Sequence, residues 1–270
     1  MREVFTDALG QRLERAEAAR IVSLVPSITE TLIELGLRGL LVGRTGFCIH
    51  PREVVRDIAK VGGTKDVKLD AVRALRPTHV IVNIDENEAP TAQALREFVP
   101  HVVVTHPNAP EDNLALYRLL GGIFGRVEAA EAMCTRLQAQ LDAIGRVDWP
   151  RETVLYLIWK DPWMTVAADT HIARTLATVG WDVAHPPGGE SGAARYPRLA
   201  DPDAEAARAD RVLLSTEPFS FGERHVQELQ RRWPGKPVEL IDGEWTSWYG
   251  VRAVDGLREL AQFRRRFLQR

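Results

Sequence analysis

The 270-residue sequence predicts an α/β protein of two α/β lobes with mainly parallel sheets, joined by a long backbone helix. Three observations predict it. Up to about residue 110, short apolar runs alternate with segments whose apolar residues recur at helical spacing. Over 111–148 the strands stop and the pattern is helical throughout. From 149 to 270 the alternation returns. The expected plan is therefore an N-terminal α/β lobe over 1–110, a connecting helical segment over 111–148 and a C-terminal α/β lobe over 149–270.

The first unit is "RIVSLVPSITETLIELGL". Ile21–Val25 has the apolar run of a buried strand, and Ile28, Leu32 and Leu35 follow at helical spacing. Ser27 and Glu30 stand at capping-box spacing, so the helix is expected to start there and stop at Gly36. "LLVGRTG" (40–46) reads as a second strand, and "LDAVRALRPTHVIVNI" as a helix, a proline-marked break and a strand ending near Ile84. "HVVVTHP" (101–107) is another strand. "PEDNLALYRLL" is helical and "GGIFGR" interrupts it. The amphipathic segment 127–145 then spans roughly 28 Å at about 1.5 Å per residue. In the second lobe "TVLYLIW" (153–159), "RVLLST" and "PVELI" are strands. "THIARTLATVGW" is a helix stopped by Gly180, and 249–267 is the closing helix.

Composition excludes several function classes. A net charge of −2 with 35 basic and 37 acidic residues offers no support for nucleic-acid binding. The "RRRF" near the C-terminus fits a solvated helix face. Two cysteines, Cys48 and Cys134, cannot build a disulfide framework. No apolar stretch approaches membrane-spanning length, and the first twenty residues lack the apolar core of a signal peptide. The G-x-G-x-x-G, G-x-x-x-x-G-K-[ST], H-E-x-x-H and C-x-x-C signatures are missing, and "GGESG" breaks the G-x-S-x-G elbow.

Several stretches together resemble the class III substrate-binding proteins of ABC importers, the helical-backbone receptors for cobalamin, haem and iron–siderophores. "VFTDALGQRLE" is similar to the hairpin that begins their mature chains, and "RIVSLVPSITETLIELGL" to their first strand–helix unit. "LDAVRALRPTHVIV", "GGIFGRVEAAEAM" and "GKPVELIDGEWTSWYGVRAVDGL" fit the same family, so the resemblance spans nearly the whole chain. It implies a class III periplasmic-binding-protein-like fold and a monomer binding a corrinoid or iron chelate in an interlobe cleft. It also implies an ABC permease partner, met by acids on each lobe such as Asp85, Glu86, Glu88 and Glu217. Thr246 and Ser247 stand where cobalamin-binding relatives carry an acidic residue, which counts against that docking. As written the chain is expected to be cytoplasmic, and periplasmic if a leader has been removed.

In open α/β sheets, ligands collect at the carboxyl ends of strands, where helix N-termini offer unpaired N–H groups. Pro26, Ser27, Ile28 and Thr29 form such a turn. All seven tryptophans follow residue 148, several at strand ends with Phe219, Phe221 and Tyr249. Trp149, Trp181 and Trp233 are assigned to core packing. Trp163, Trp245, Trp248, Phe219 and Tyr249 are assigned to ligand contact, with Phe47 on the first lobe, because aromatic faces suit a large flat ligand. Trp245 resembles a tryptophan lining the corrinoid pocket of cobalamin-binding relatives. Arg195, in the Gly/Pro-rich loop 185–199, is a candidate for a ligand carboxylate or phosphate.

"GFCIHP" puts Cys48 and His50 on alternate positions, so a strand-like chain would aim both the same way. Two ligands are too few for a structural zinc site, yet enough for an axial ligand to a cobalt or iron chelate. A loop cysteine beside a capping histidine is the plain alternative, and His171 and His185 are weaker candidates. The expected function is thus non-enzymatic binding of cobalamin or haem as ligand, without a catalytic cofactor. Two alternatives stand beside it: a cytosolic enzyme using Cys48 as nucleophile and His50 as base, and a binder of bare metal ions.

Overall fold

The computed structural model describes residues 3–185 and 192–268. The chain divides into two compact units, Met1–Pro107 with Asp112–Arg136, and Asn108–Glu111 with Leu137–Arg270.

The first unit opens with an antiparallel hairpin, β1 (Val4–Thr6) and β2 (Arg12–Glu14), with Phe5 opposite Leu13. The Asp7 carboxylate fixes its turn, accepting from the amides of Leu9 and Gln11 at 2.9 Å each and from Val104 at 3.0 Å. The chain continues through β3 (Ile21–Ser23), α1 (Pro26–Glu34), β4 (Leu41–Arg44), α2 (Arg52–Val55) and β5 (Ala59–Lys60). Then come α3 (Leu69–Ala74), β6 (His79–Asn83), α4 (Ala89–Arg96), β7 (His101–Thr105) and α5 (Asp112–Ile123). The sheet order is β5-β4-β3-β6-β7, parallel throughout. All five residues of β6 are buried, and its central Val80–Val82 is the apolar run of a strand covered on both faces. Val22, Leu24, Val80, Val82, Val102 and Val104 pack with Val72 and Leu95 of the helices to form the core.

The next helix, α6 (Val127–Gly145), has 19 residues and the bounds its periodicity predicts. The first unit ends at Arg136 and the second takes up again at Leu137, so this helix belongs to both.

The second unit contains β8 (Glu152–Trp159), β9 (Met164–Thr165), α7 (His171–Ala177), β10 (Trp181–Val183), α8 (Gly192–Arg195) and α9 (Pro202–Arg208). β11 (Arg211–Ser215), α10 (Glu223–Arg232), β12 (Val238–Ile241), α11 (Glu244–Ser247) and α12 (Arg252–Arg265) follow. Its strands order β10-β8-β11-β12 in parallel, with β9 antiparallel on β8. Leu155, Leu157, Val212, Leu214 and Val238 form the sheet side of the core, and Val226 and Leu229 of α10 cover it. Trp149, Trp181 and Trp233 are buried.

At the amino ends of β8 and β11 lies a cluster of buried and half-buried charges. Glu152 accepts from Trp181 Nε1 at 2.8 Å, Arg211 Nε at 3.1 Å and Arg264 Nη1 at 2.8 Å. Arg264 also donates to the carbonyls of Val179 and Pro150, and Arg211 to Glu239. Burial holds the Arg264 guanidinium below its ordinary pKa.

Among the boundaries that differ from the sequence reading are two helix starts. α1 starts at Pro26, with Val25 as N-cap and no side-chain cap, so the Ser27–Glu30 capping box does not form. The fixed φ of Pro26 suits the first helical position and draws the start one residue earlier than Ser27. At the other end Gly36 N donates to Ile33 O and Leu37 N to Leu32 O, a complete Schellman closure. The closing helix begins at Arg252 rather than at 249, because Gly250 takes a φ of 73°. Of the 185–199 loop, residues 186–191 lie outside the described residues. Among the described residues no helix is long and apolar enough to cross a membrane.

Candidate functional site

In the first unit the carboxyl ends of β3, β4, β6 and β7 carry polar residues: Ser23, Arg44, Asn83 and Thr105. Asn87 ties the loops above them, donating to Thr64 O at 2.8 Å while its Oδ1 accepts from Asn83 N at 2.9 Å. At the start of α1, Ser27, Ile28 and Thr29 are all buried. The Ser27 hydroxyl has no hydrogen-bond partner among the described residues. The Thr29 hydroxyl donates to Val25 O at 2.9 Å and lies 3.1 Å from Cys48 Sγ.

Cys48 and His50 do not follow strand geometry. The chain turns at Gly46–Phe47, and Cys48 N reaches back to Thr45 O at 3.3 Å. Cys48 is buried and bonded to the Thr29 and Thr45 hydroxyls, while His50 is half-buried. Burial pushes the Cys48 thiol up, against weaker opposing pulls from those two hydroxyls. Among the described residues there is no group of three or more His, Cys, Asp or Glu side chains able to hold a metal ion. Phe47 and Ile49, on either side of Cys48, are 62% and 52% exposed.

The acids of 85–88 fall into different settings. Asp85 Oδ2 lies 3.5 Å from His106 Nε2, Glu86 is half-buried, and Glu88 is exposed at the N-cap of α4.

In the second unit the carboxyl ends of β8 and β11 deliver aromatic rings. Trp159, the last residue of β8, is 38% exposed and meets Phe219 edge-on, with centroids 5.5 Å apart. Phe219 packs on Phe221 at 4.6 Å, and Trp163 stacks on Phe221 at 6.1 Å with planes 7° apart. Phe221 is rooted in the core, so the partly buried Trp163 and Phe219 are held in fixed orientations above it. Lys160 covers the Trp163 ring while its ammonium pairs with Glu228.

A polar network lies after β12. The buried Tyr156 hydroxyl reaches Ser215 Oγ at 3.0 Å and Thr246 Oγ1 at 2.7 Å, and burial pushes its pKa up to about 12. Glu217 accepts from Ser247 Oγ and from Trp248 Nε1. Burial raises the Glu217 carboxyl above its ordinary value, and the Ser247 hydrogen bond opposes the rise. Thr246 and Ser247 thus bind the Tyr156–Glu217 network, a role their spacing alone does not announce. Trp245, on α11, packs edge-on against Phe263 of α12 at 5.8 Å, and the buried Tyr249 meets His171 edge-on at 5.8 Å. Arg195 is buried, donates to Asn108 Oδ1 at 2.6 Å and lies 3.8 Å from Asp169 Oδ2. His185 is half-buried.

The aromatic candidates therefore fall into groups: Trp163 and Phe219 with Phe221, Trp245 against α12, and Trp248 on Glu217. Trp159 joins the first group and was not singled out by sequence. Its signal was its place as the last residue of an apolar strand, where an indole can be neither fully cored nor fully solvated.

Taken by itself, the second unit offers apolar ring area, and the first unit offers hydroxyl, amide and guanidinium groups at the carboxyl ends of its strands. Neither unit offers a complete metal-ligand set among the described residues. Comparison with known proteins agrees in fold. A vitamin B12-binding protein of Vibrio campbellii is 23% identical over 271 residues, covering 96% of this chain and 93% of that protein. The crystal structure of the periplasmic vitamin B12 binding protein of Vibrio cholerae superposes with a TM-score of 0.78 at 15% identity, covering 93% of this chain and 99% of that one. A periplasmic heme-binding protein from a Roseiflexus species, solved in apo form, has a TM-score of 0.73 at 21% identity over 92% and 98% of the two chains. A family model described as periplasmic binding protein matches residues 21–182, well over half the chain. With its two α/β units and mainly parallel sheets, this chain belongs to the periplasmic binding protein family.

Proposed function

We propose that this protein binds a corrinoid, or failing that haem, as a non-enzymatic substrate-binding protein of the ABC-importer kind. Relatives that bind vitamin B12 and heme support the ligand class. The observation that carries the reading is the ring group at the ends of β8 and β11. Trp159 is partly solvent-facing, and its neighbours Phe219 and Trp163 are braced by Phe221. Such area matches a broad flat macrocycle better than a sugar or an amino acid, which need dense hydrogen bonding.

Catalysis through Cys48 is not part of this reading. A buried thiol with a raised pKa is a poor nucleophile near neutral pH. For an importer's arginines, the exposed Glu88 is the better-placed acid, because Ser247 and Trp248 already occupy the Glu217 carboxylate. An importer role puts the protein outside the cytoplasmic membrane and a carrier role inside it. Fractionation of the chromosomally expressed protein separates the two.

The test is a fluorescence titration with cobalamin and with hemin, since all seven tryptophans lie in the second unit. Saturable quenching is expected. Trp159→Ala and Trp245→Ala should each weaken binding by about 1–3 kcal/mol, the range for losing an aromatic anchor. If neither macrocycle binds below roughly 100 µM, about −5.5 kcal/mol, the reading fails.

A further inference from the structure

The first unit holds a cavity of about 570 Å³ whose described lining residues all belong to that unit. Its wall is built from the end of β4, the turn after it, α2 and β5, and the side chains there are basic: Arg44, His50, Arg52, Arg56 and Lys60. Among the described residues no carboxylate lines it. The nearby acids Glu53 and Asp57 pair with Arg56, at 3.1 and 3.6 Å. Among the described residues, Arg44, Arg52 and Lys60 have no carboxylate within ion-pair distance.

Arg44 is the telling member. It is 4% exposed, yet its hydrogen bonds go to backbone carbonyls, Nε to Val55 O at 2.8 Å and Nη1 to Thr45 O at 3.0 Å. Carbonyl dipoles orient a guanidinium without neutralising it. A buried cation without a counter-ion is costly, and proteins ordinarily supply a carboxylate. Here the wall of a cavity takes that place, and two further solvent-facing cations, Arg52 and Lys60, converge on the same space. Ile49 and Val55 add an apolar side, which suits a small organic body behind the charged group.

We propose that this cavity is a binding site for a multiply charged oxyanion, a phosphate- or polycarboxylate-bearing small molecule. Arg44 is the fixed donor at its base, and Arg52 and Lys60 are mobile clamps at its rim. A guanidinium held in one orientation presents its remaining N–H groups in a fork suited to oxyanion oxygens. The volume falls within the range of small-molecule sites. The proposal is independent of the macrocycle reading, since it uses no aromatic residue and no residue of the second unit.

The test is isothermal titration of the full chain at low ionic strength with pyrophosphate, with citrate, and with neutral glucose as control. Saturable one-to-one binding of pyrophosphate or citrate but not glucose is expected, and which anion binds tells phosphate from carboxylate chemistry. Arg52→Gln and Lys60→Gln are surface changes that leave the fold intact, and each should weaken that binding roughly tenfold. Arg44→Met should abolish it, with circular dichroism confirming the fold. Should neither anion bind, or should the Arg52 and Lys60 variants bind as tightly as the parent, the site does not exist.

Discussion

Glu152→Ala tests how the second unit manages buried charge. The carboxylate sits among three donors: Trp181 Nε1, Arg211 and Arg264. The Arg264 side chain is 4% exposed and that of Arg211 is 10% exposed. Removing one partner of a buried ion pair costs about 3–5 kcal/mol, because the other charge is left uncompensated. Arg211 keeps Glu239 at 3.2 Å, whereas Arg264 keeps two carbonyls and the Trp181 ring face, none of which carries a negative charge. The loss therefore falls chiefly on Arg264, and the expected cost lies near the lower end, about 3 kcal/mol. Glu152→Gln retains the shape and an acceptor for Trp181, so about half that loss is expected. Pairing Glu152→Ala with Arg264→Met removes both charges and should recover part of the loss, giving a coupling of about 1–3 kcal/mol. Urea unfolding followed by tryptophan fluorescence is the assay, since every tryptophan lies in this unit and Trp181 touches the carboxylate. A Glu152→Ala cost below about 1 kcal/mol, or strict additivity in the double variant, would refute the account.

Gly180→Ala should cost about 2 kcal/mol or more, whereas Gly10→Ala should cost about 1 kcal/mol. Both glycines have positive φ, 77° and 79°, but a Cβ at Gly180 meets Pro150 O at 2.7 Å and one at Gly10 meets nothing. Thermal unfolding of the two variants compares them. Burial, with the charge of His101 behind it, lowers the pKa of His79 to about 4. Between about pH 6.5 and 4 the unfolded chain binds the extra proton. Stability is therefore full above 6.5 and falls by up to about 3 kcal/mol as pH drops to 4. Hydrogen exchange of the β6 amides should show this slope in the parent and lose it in His79→Gln. Iodoacetamide should modify Cys48 slowly at pH 7 and rapidly in urea, and fast labelling of the folded chain would revive a catalytic thiol.

Fold was legible where periodicity and punctuation agreed. The runs expected at Ile21–Val25, before Ile84 and in "RVLLST" hold the buried strands Ile21–Ser23, His79–Asn83 and Arg211–Ser215, and α6 has its expected ends. Short elements such as β5, β9, α2 and α8 were not legible, because two to four residues carry no period. The α1 capping box failed for a local reason: two start signals overlapped, and proline's fixed φ outweighed a serine side chain. The Cys48–His50 pair was read on a strand's period, but the Gly46–Phe47 turn ends that period before Cys48. Roles made by tertiary neighbours were invisible. Thr246 and Ser247 serve Tyr156 and Glu217, which lie 90 and 30 residues away in sequence. Arg44 looks in sequence like any basic residue at a strand's end, and only burial without a carboxylate sets it apart.

The helix shared by both units bears on synthesis. All of the first unit is encoded by residue 136, and at least 134 further residues (270 − 136) are still to be translated. At about 5–20 residues per second that takes roughly 7–27 s, far longer than a small domain needs to fold. The first sheet therefore has time to close on the ribosome before most of the unit that includes Asn108–Glu111 has been made. That four-residue strip belongs to a body whose other residues do not yet exist. The nascent chain thus presents the first unit before the second exists, and a pause between the two would leave that half for proteases to find.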